Sequence, residues 1–431
     1  MGGFLCTPHS FPMQGHRART AVRPEIPLRG ASAPAPTLIL INHGEAARML
    51  PREQRGGVRA RACARRVRVG VADQVKKILT TCARLVPSAR RRDLDRVRLI
   101  AGRYSPSMKA AVHTRYGPPE VVQVTEIDEP TIEADELLIK VHATTVNRTD
   151  CGFRAGKPFI VRFFSGLTRP RATVLGNEFA GVVEAIGSDV RSFKVGDRVF
   201  GYNDSRFGAH AEYLSIPESK PLAAMPENLA FEQAAPSTEG SHYALSFIRA
   251  AKIQDGQDVL VYGATGAIGS AAVQLLRGLG ANVTAVCSTE NVELVKGLGA
   301  ERVIDYTVQD FTKDWESYDV VLDAVGKSSF GQCKPLLRPT GLYLSSDLGP
   351  HSQNPILALI TPIIGGKRVK FPIPRQDQDM ARHFKELIES GKFKPVIDRT
   401  YPLDQIVEAY EYVETGQKIG NVVISIKPSG C

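Results

Sequence analysis

The stretch 258-DVLVYGATGAIGSAAVQLLRGLGANVTAV-286 most constrains how this chain can fold. It reads as an apolar strand, a tight turn containing Gly263, Gly266 and Gly269, a helix and a second apolar strand. Such a unit is typical of dinucleotide-binding folds, in which backbone N–H groups meet a pyrophosphate at the start of the helix. The strict fingerprint would place glycine at Ala264, so the motif is imperfect. A purely structural glycine turn is the alternative.

The end of the second strand bears on which dinucleotide binds. An acidic residue there usually accepts a hydrogen bond from the ribose 2′-OH of NAD, whereas this position holds Cys287. Ser288, Thr289 and Lys296 follow, and their hydroxyl and ammonium groups suit the 2′-phosphate of NADP. These residues favour NADP(H) over NAD(H), while Glu290 keeps NAD open. Helix capping is the alternative role of Ser288 and Thr289.

Two patterns divide the chain after residue 107. Short strand candidates separated by Gly and Pro turns fill residues 108–228, as in a mostly antiparallel barrel or sandwich. Between residues 229 and 371 apolar strands alternate with helical stretches at 231–251, 267–279, 290–298 and 328–337. This alternation predicts an α/β fold with a parallel sheet covered on both faces. Residues 372–431 are too few to fold alone, and we expect them to return to the first domain.

Residues 1–107 differ from the rest of the chain in charge. They carry 19 Arg, 2 Lys and 6 acidic residues, a net charge of +15, and residues 108–431 hold the remaining 34 basic and 39 acidic residues, a net charge of −5. The body therefore lacks the basic surface that a nucleic-acid partner requires. The longest apolar run near the N-terminus, residues 37–41, is too short to span a bilayer.

Three interpretations of residues 1–107 stay open: reading frame upstream of a start at Met108, a transit peptide in the acid-free residues 1–24, and a basic interaction tail. Each predicts a disordered or non-native extension, because too little apolar surface is available to offset the entropy of ordering. The seven cysteines show no CxxC spacing and fit a reducing compartment. We therefore expect a cytoplasmic location, with an organelle as the alternative if residues 1–24 are a transit peptide.

A series of motifs runs in order through residues 108–431: 108-MKAAV-112, 147-NRTD-150, 176-GNEFAGVVEAIG-187, 193-FKVGDRVFG-201, 208-GAHAEY-213, the glycine-rich turn, 298-LGAERVIDY-306 and 323-DAVG-326. With these motifs the chain resembles the medium-chain dehydrogenase/reductase superfamily, in its zinc-independent quinone oxidoreductase-like branch. The resemblance implies a GroES-like, mostly β catalytic domain and a Rossmann domain with a doubly wound parallel sheet. It also implies that NAD(P)H binds in the cleft between them.

The resemblance allows a test for zinc. Zinc alcohol dehydrogenases of the superfamily use a Cys before the first helix and a His in a Gly-His-Glu motif, and this chain has Asn147 and Asn177 at those positions. Amides are poor ligands for zinc. The four-cysteine structural lobe is missing, and Cys151 alone makes no site. We therefore expect no metal.

Without a metal to polarise a simple ketone, the chemistry left is hydride transfer to a carbon activated by conjugation. Quinones and α,β-unsaturated carbonyl compounds are the expected small-molecule substrates. Most of the rate enhancement would come from the orientation of cofactor and substrate and from hydrogen bonds to the developing oxyanion. The resemblance places Asn147 and Asp150 at the nicotinamide side of the cleft. Tyr202 is a candidate donor to the oxyanion, with a core or surface tyrosine as the alternative. Gly152, where related quinone oxidoreductases often carry Tyr, predicts a roomier pocket.

The resemblance also implies a set of cofactor contacts. It places Gly266, Ala267 and Ile268 around the pyrophosphate. Tyr306 would lie near the adenosine phosphate and Val325 near the ribose. Lys418, in the returning segment 416–423, would lie close to the bound cofactor. Surface positions are the alternatives for the first and the last of these.

Some alternatives stay open at this stage. The apolar segment 355–366 lines the pocket, contacts a second subunit or belongs to the core. Relatives of this branch are often dimers, so a homodimer is one expectation. Two other functions compete with the reductase: an NADPH-binding partner or lipid-transport-like protein with little catalysis, and a zinc-type alcohol dehydrogenase.

Overall fold

The computed structural model describes residues 106–374 and 378–426. Its strands are, in chain order, β1 Ser107–Val112, β2 Gln123–Asp128, β3 Glu136–Val146, β4 Glu178–Ile186, β5 Arg198–Tyr202, β6 Tyr213–Pro217, β7 Leu222–Ala224, β8 Asp258–Tyr262, β9 Asn282–Cys287, β10 Arg302–Asp305, β11 Tyr318–Asp323, β12 Leu337–Ser345, β13 Arg368–Lys370, β14 Ile397–Pro402 and β15 Asn421–Ser425. Its α-helices are α1 Arg148–Ala155, α2 Val161–Ser165, α3 Phe231–Ala234, α4 Glu239–Ala251, α5 Ala267–Gly278, α6 Val292–Leu298, α7 Phe330–Cys333, α8 Gln353–Ile364, α9 Asp379–Glu389 and α10 Ile406–Glu414.

One sheet is built around the long strand β3. Its order is β14-β15-β3-β4-β5-β7, with β6 also paired to β3, and every pairing except that of β14 with β15 is antiparallel. Leu137, Ile139 and Val141 of β3 are buried because alternate side chains of a strand point to the same face. Strand β15 comes from the last described residues and pairs with β3. The end of the chain therefore completes the sheet that its first part begins.

The other large sheet is fully parallel, with the order β10-β9-β8-β11-β12-β13. Val259, Leu260 and Val261 of β8 are completely buried, as expected for a strand covered on both faces. From β8 the chain runs to one edge through β9 and β10, and then crosses back to β11. This reversal opens a crevice at the carboxyl ends of the strands, where open α/β sheets bind ligands. The predicted α/β class with a Rossmann-type sheet is confirmed.

Several predictions concern residues at the limits of the structure. Residues 1–105, nearly all of the predicted extension, lie outside the described residues. The domain limits 108–228, 229–371 and 372–431 stay predictions. Within the described ranges, no helix is both long and apolar enough to cross a bilayer.

Two predicted helices are broken by proline. Residues 231–251 form two helices, α3 and α4, separated by a 3₁₀ turn in which Pro236 has a non-helical ψ of 20°. Proline lacks the N–H that a continuous helix needs. The predicted helix 328–337 keeps one α-turn and then becomes a 3₁₀ turn containing Pro335. The first break is important for the site, because it places the start of α4 at Glu239.

The apolar segment 355–366 belongs mostly to helix α8. Its residues Leu359 and Ile363 are 75% and 86% exposed, whereas Leu357 and Ala358 pack against the core of the parallel sheet, so the segment is core on one face only.

Helix α5 approaches the glycine-rich turn most closely at Gly269. A Cβ on this residue would lie 2.1 Å from the carbonyl oxygen of Gly263, and backbone at that position cannot move away without distorting the turn. We expect Gly269→Ala to lower the free energy of unfolding by about 2 kcal/mol, measured by urea denaturation.

Gly278→Ala is the matched control, because Gly278 ends the same helix and a Cβ there would meet no atom within 4 Å. It should be neutral or stabilising by up to ~1 kcal/mol. Equal effects of the two substitutions would contradict the packing described here.

Candidate functional site

The glycine-rich turn connects β8, which ends at Tyr262, to α5, whose N-cap is Gly266. Gly263 has φ +79°, a conformation that favours glycine, and a Cβ there would lie 2.3 Å from Val325. Gly266 differs, because its φ is −70° and the nearest atom to an added Cβ would be 3.6 Å away. Packing therefore requires glycine at Gly263 and Gly269, but not at Gly266.

The start of α5 offers unpaired backbone donors. The N–H groups of Ala267 and Ile268 lie in the first turn, where a helix provides no carbonyl partner. Ser270 N–H is the first to bond back into the helix, to the carbonyl of Gly266 at 2.9 Å. The N-terminal end of a helix also carries roughly +0.5 elementary charge. Free N–H groups, a positive helix end and the open space at Gly266 fit a pyrophosphate.

The returning segment contacts this turn. Gly420 N–H donates to the carbonyl of Thr265 at 2.6 Å. Lys418 is partly buried, and its Nζ donates to the Gly420 carbonyl. Burial lowers the pKa of Lys418, and the nearby Glu239 carboxyl opposes that shift. Lys418 thus lies between the turn and a group of buried acids, while its role toward a cofactor stays a prediction.

Val325 and Tyr306 lie at the carboxyl ends of parallel strands, which is also where the turn lies. Val325 follows β11 and is 38% exposed. Tyr306 follows β10, is 54% exposed and donates its N–H to the Cys287 carbonyl at 3.0 Å. Their predicted contacts with the ribose and the adenosine phosphate stay predictions.

The residues predicted to select the dinucleotide have partners within the protein. The Thr289 hydroxyl donates to Asp305 at 2.5 Å. Lys296 Nζ lies 3.0 Å from Glu293 Oε1, and the Ser288 hydroxyl accepts a hydrogen bond of 2.9 Å from the asparagine three residues later. Acidic neighbours of Thr289 and Lys296 weaken the attraction that these two residues offer to a 2′-phosphate.

Asn147 and Asp150 form the start of helix α1. Asn147 Oδ1 accepts from Asp150 N–H at 3.0 Å, and Asp150 Oδ2 accepts from Asn147 N–H at 3.1 Å, which is a reciprocal capping box. Asp150 Oδ1 accepts from Gly176 N–H at 3.0 Å. Burial raises the pKa of Asp150 to about 7, although these backbone bonds favour its carboxylate. Asp150 thus fixes the local backbone, and its predicted catalytic role stays a prediction.

Asn147 also contacts the Gly-Asn-Glu motif before β4. Its Nδ2 donates to Asn177 Oδ1 at 2.7 Å, so the two residues at the zinc-ligand positions bind each other. Among residues 106–374 and 378–426, no group of His, Cys, Asp and Glu is arranged to hold a metal ion. Burial raises the pKa of Cys151 to about 12, away from the thiolate that zinc requires. This donor set does not fit zinc.

Glu178 is completely buried and accepts four hydrogen bonds. Its Oε1 accepts from the N–H and the hydroxyl of Thr238 at 2.9 and 2.8 Å and from Glu239 N–H at 2.6 Å. Its Oε2 accepts from the Thr145 hydroxyl at 2.7 Å. Burial raises the pKa of Glu178, and the hydrogen bonds oppose that rise because they favour the carboxylate. Glu178 therefore fixes the start of α4 against β4.

Glu239, the first residue of α4, is absent from the sequence-based predictions. Its side chain is 7% exposed, and its Oε1 accepts a hydrogen bond from the Thr149 hydroxyl. Burial and the charges of Glu178 and Asp150 raise the pKa of Glu239 well above its usual value. Since Glu178 has the richer set of donors, Glu178 is the better site for negative charge and Glu239 is the better site for a proton. The continuous helix predicted over 231–251 obscured this residue, and Pro236 was the signal for its position at a helix start.

The structure does not place Tyr202 at the cleft. Its side chain is 2% exposed and packs in the core with Phe247 and Ala264. Burial raises its pKa well above the usual value. The prediction that the Tyr202 hydroxyl faces a substrate is therefore corrected: the residue is a core tyrosine, which was one of the alternatives.

Two family models match this chain. One, described as alcohol dehydrogenase GroES-like domain, matches residues 133–227, and the other, described as zinc-binding dehydrogenase, matches residues 298–424. The first match confirms the predicted GroES-like domain.

Two curated plant proteins and one solved structure are similar over most of their length. The 2-methylene-furan-3-one reductase of Solanum lycopersicum and the chloroplastic NADPH-dependent alkenal/one oxidoreductase of Arabidopsis thaliana are each 32% identical over 329 residues, 74% of this chain and 79% of the relative. The structure of the quinone oxidoreductase from Coxiella burnetii superposes with a TM-score of 0.68 at 28% identity, covering 75% of this chain and all of that one.

The open space at Gly266 predicts that a substitution there affects dinucleotide binding much more than it affects folding. We expect Gly266→Ala to change the free energy of unfolding by less than about 1 kcal/mol but to weaken NADPH binding roughly tenfold or more, because a methyl group would occupy the space beside the free N–H groups. Fluorescence titration of NADPH measures the affinity.

Gly278→Ala, at the far end of the same helix, is the control and should bind NADPH as the unchanged protein does. If Gly266→Ala also binds normally, a pyrophosphate does not approach this turn.

Proposed function

This chain belongs to the medium-chain dehydrogenase/reductase superfamily, in its quinone oxidoreductase-like branch, and we propose that it is an NAD(P)H-dependent reductase of quinones or α,β-unsaturated carbonyl compounds. Membership makes it an oxidoreductase; the substrate class is our proposal. The observation that carries the proposal is the hydrogen bond from Gly420 to Thr265, which holds the dinucleotide-type turn beside the buried polar residues of the first sheet.

The residues of the turn fit the role of holding the cofactor. Ala267 and Ile268 would bind its pyrophosphate through their N–H groups, and Gly266 would leave space for the close approach. When bound, a reduced nicotinamide supplies a hydride. The protein's own contribution is to orient the substrate and to provide hydrogen bonds and a proton as negative charge develops on the substrate oxygen.

The donor set supports a reaction that does not use zinc. Asn147 and Asn177 satisfy each other through an amide–amide hydrogen bond at the positions of the zinc ligands. Such a site cannot polarise a simple ketone as a Lewis acid, whereas a conjugated carbonyl or a quinone accepts a hydride without that help. The names of the plant relatives, which act on an alkenal/one or on a methylene-furanone, support the same substrate class. A zinc-type alcohol dehydrogenase is not favoured.

We propose a preference for NADP(H) over NAD(H). Support comes from Cys287, a buried residue at the end of β9 where an NAD site usually carries an acid, and from the neighbouring hydroxyls of Ser288 and Thr289. The relative from Arabidopsis thaliana is named NADPH-dependent. Asp305, which accepts from Thr289, opposes a 2′-phosphate, so we expect the preference to be moderate.

A substrate panel tests the proposed reaction. We expect the full chain to oxidise NADPH in the presence of quinones and linear enones, at a rate that a metal chelator leaves unchanged, and to show no oxidation of simple alcohols. Absorbance of the reduced nicotinamide follows the reaction. NADPH binding without turnover of any acceptor would favour the partner or lipid-transport alternative, and loss of activity with the chelator would contradict the metal-free reaction.

Ser288→Asp tests the cofactor preference. An added carboxylate beside the expected 2′-phosphate should weaken NADPH binding roughly tenfold by charge repulsion and leave NADH binding within about twofold. Ser188→Asp, an exposed serine of the first sheet's loops, is the control and should leave both affinities unchanged. Equal loss for both dinucleotides would place the 2′-phosphate elsewhere.

We also propose a homodimer in a reducing compartment, the cytoplasm. The exposed apolar face of α8 and the edge strand β13 are surfaces that a second copy would cover.

Cys151, Cys287 and Cys333 are free and buried, which agrees with a reducing compartment. Residues 1–24, which carry the transit-peptide alternative, lie outside the described residues.

A further inference from the structure

Glu239 lies where the two large sheets meet. It begins α4, and the next residue, Gly240, packs so closely on α5 that a Cβ there would lie 2.7 Å from the carbonyl group of Ala267. Ala267 is the first residue of the helix that fits a pyrophosphate. A titratable side chain is therefore fixed beside the cofactor-binding turn, with its backbone N–H bonded to Glu178 at 2.6 Å.

The Glu239 carboxyl is incompletely paired. Its Oε2 is buried and has no partner with hydrogen-bond geometry, and the same is true of the completely buried Asn177 Nδ2. The Asn177 amide nevertheless lies near enough to favour the ionised form of Glu239. In the acid form the O–H lies on Oε1, toward the Thr149 hydroxyl, and Oε2 is then a neutral carbonyl oxygen, which costs less to bury without a well-formed hydrogen bond than a carboxylate oxygen does.

The surroundings of Glu239 favour the acid. The titratable groups that face it come from β4, α1, β5, its own helix and the returning segment: Glu178, Asp150, Tyr202, Tyr243 and Lys418. Two of these are carboxyls, Glu178 and Asp150, and negative charge on either one opposes the ionisation of Glu239, while Lys418 is the one amine among the five. Burial lowers the pKa of Lys418, which limits the compensation that it offers.

Thr149 connects Glu239 to less buried surroundings. Its hydroxyl contacts Glu239 Oε1 and lies beside the Tyr243 hydroxyl, and Thr149 itself is partly exposed, in the first turn of α1. A hydroxyl is both donor and acceptor, so it can receive a proton from one side while it gives its own to the other.

We propose, on the basis of the reductase function above, that Glu239 supplies the proton that completes the reduction and that the Thr149 hydroxyl transfers it to the substrate. With the dinucleotide bound, the conjugated carbonyl would gain a hydride and its two electrons and become an anion. The substrate anion then takes the hydroxyl proton of Thr149 as Thr149 takes the carboxyl proton of Glu239. Glu239 is left as a carboxylate, and a proton from water restores the acid.

Glu239→Gln tests this proposal because glutamine keeps the size and the acceptor for Thr149 but has no acidic proton. We expect kcat to fall roughly 100-fold while the Kd for NADPH stays within about twofold. In the unchanged protein kcat should fall as rising pH removes the proton from Glu239, and the variant should lack that limb of the pH profile. Glu386→Gln, an exposed substitution of the same kind, is the control and should behave as the unchanged protein.

Thr149 provides a second test. Thr149→Val, which removes the hydroxyl at constant size, should lower kcat as Glu239→Gln does, and the two losses should not add because they interrupt one transfer. Thr149→Ser, which restores a hydroxyl, should recover most of the lost rate. A merely structural role for this pair predicts additive losses and no recovery by serine.

Infrared difference spectroscopy supplies a readout that does not depend on turnover. Compared with Glu239→Gln at neutral pH, the unchanged protein should show one additional band of a protonated carboxyl group. Absence of that band, or an active protein whose kcat and pH profile are unaffected by Glu239→Gln, would overturn the proposal alone. An unchanged protein that binds NADPH but reduces no quinone or enone would overturn the proposed function, and this proposal with it.

Discussion

The hydrogen bond from Gly420 N–H to the Thr265 carbonyl, at 2.6 Å, is the contact on which the proposed site depends. It joins the segment leading into β15, in the first sheet, to the turn that follows β8, one of the two central strands of the parallel sheet. Together with the close packing of Gly240 on Ala267, it fixes the start of α5 beside the first sheet. The returning segment therefore lies against the turn, and it also brings Lys418 beside the buried acids.

Three buried carboxyls near this contact divide their tasks according to their hydrogen bonds. Glu178 and Asp150 accept from backbone N–H groups and fix the starts of α4 and α1. Glu239 accepts one hydrogen bond, from the Thr149 hydroxyl, and its second oxygen has the Asn177 amide nearby but without hydrogen-bond geometry. Repulsion among buried carboxyls disfavours the ionisation of all three, and it raises the pKa most for the carboxyl with the fewest donors. The interactions that hold the fold together therefore also set the proton affinity of Glu239, beside the cofactor-binding turn.

Local patterns made much of the fold predictable. The alternation of apolar strands with helices indicated the parallel sheet, and three glycines between β8 and α5 indicated the turn, because both depend on residues close in sequence. The predictions failed where the outcome depends on distant partners. Tyr202 ends the glycine-containing strand β5, where a cleft residue was expected, but helix α4 covers it. Glu239 was missed because the helix break at Pro236 and the contact with Glu178 on β4 together decide its position.

The central claim is that this chain holds a dinucleotide in a cleft whose former metal-ligand positions are occupied by two mutually bonded amides. Native mass spectrometry of the full chain, purified without chelator and mixed with NADPH, measures both parts at once. The account predicts a complex of one dinucleotide per chain and no bound zinc. A protein that carries stoichiometric zinc, or that shows no dinucleotide complex at any concentration, would contradict it.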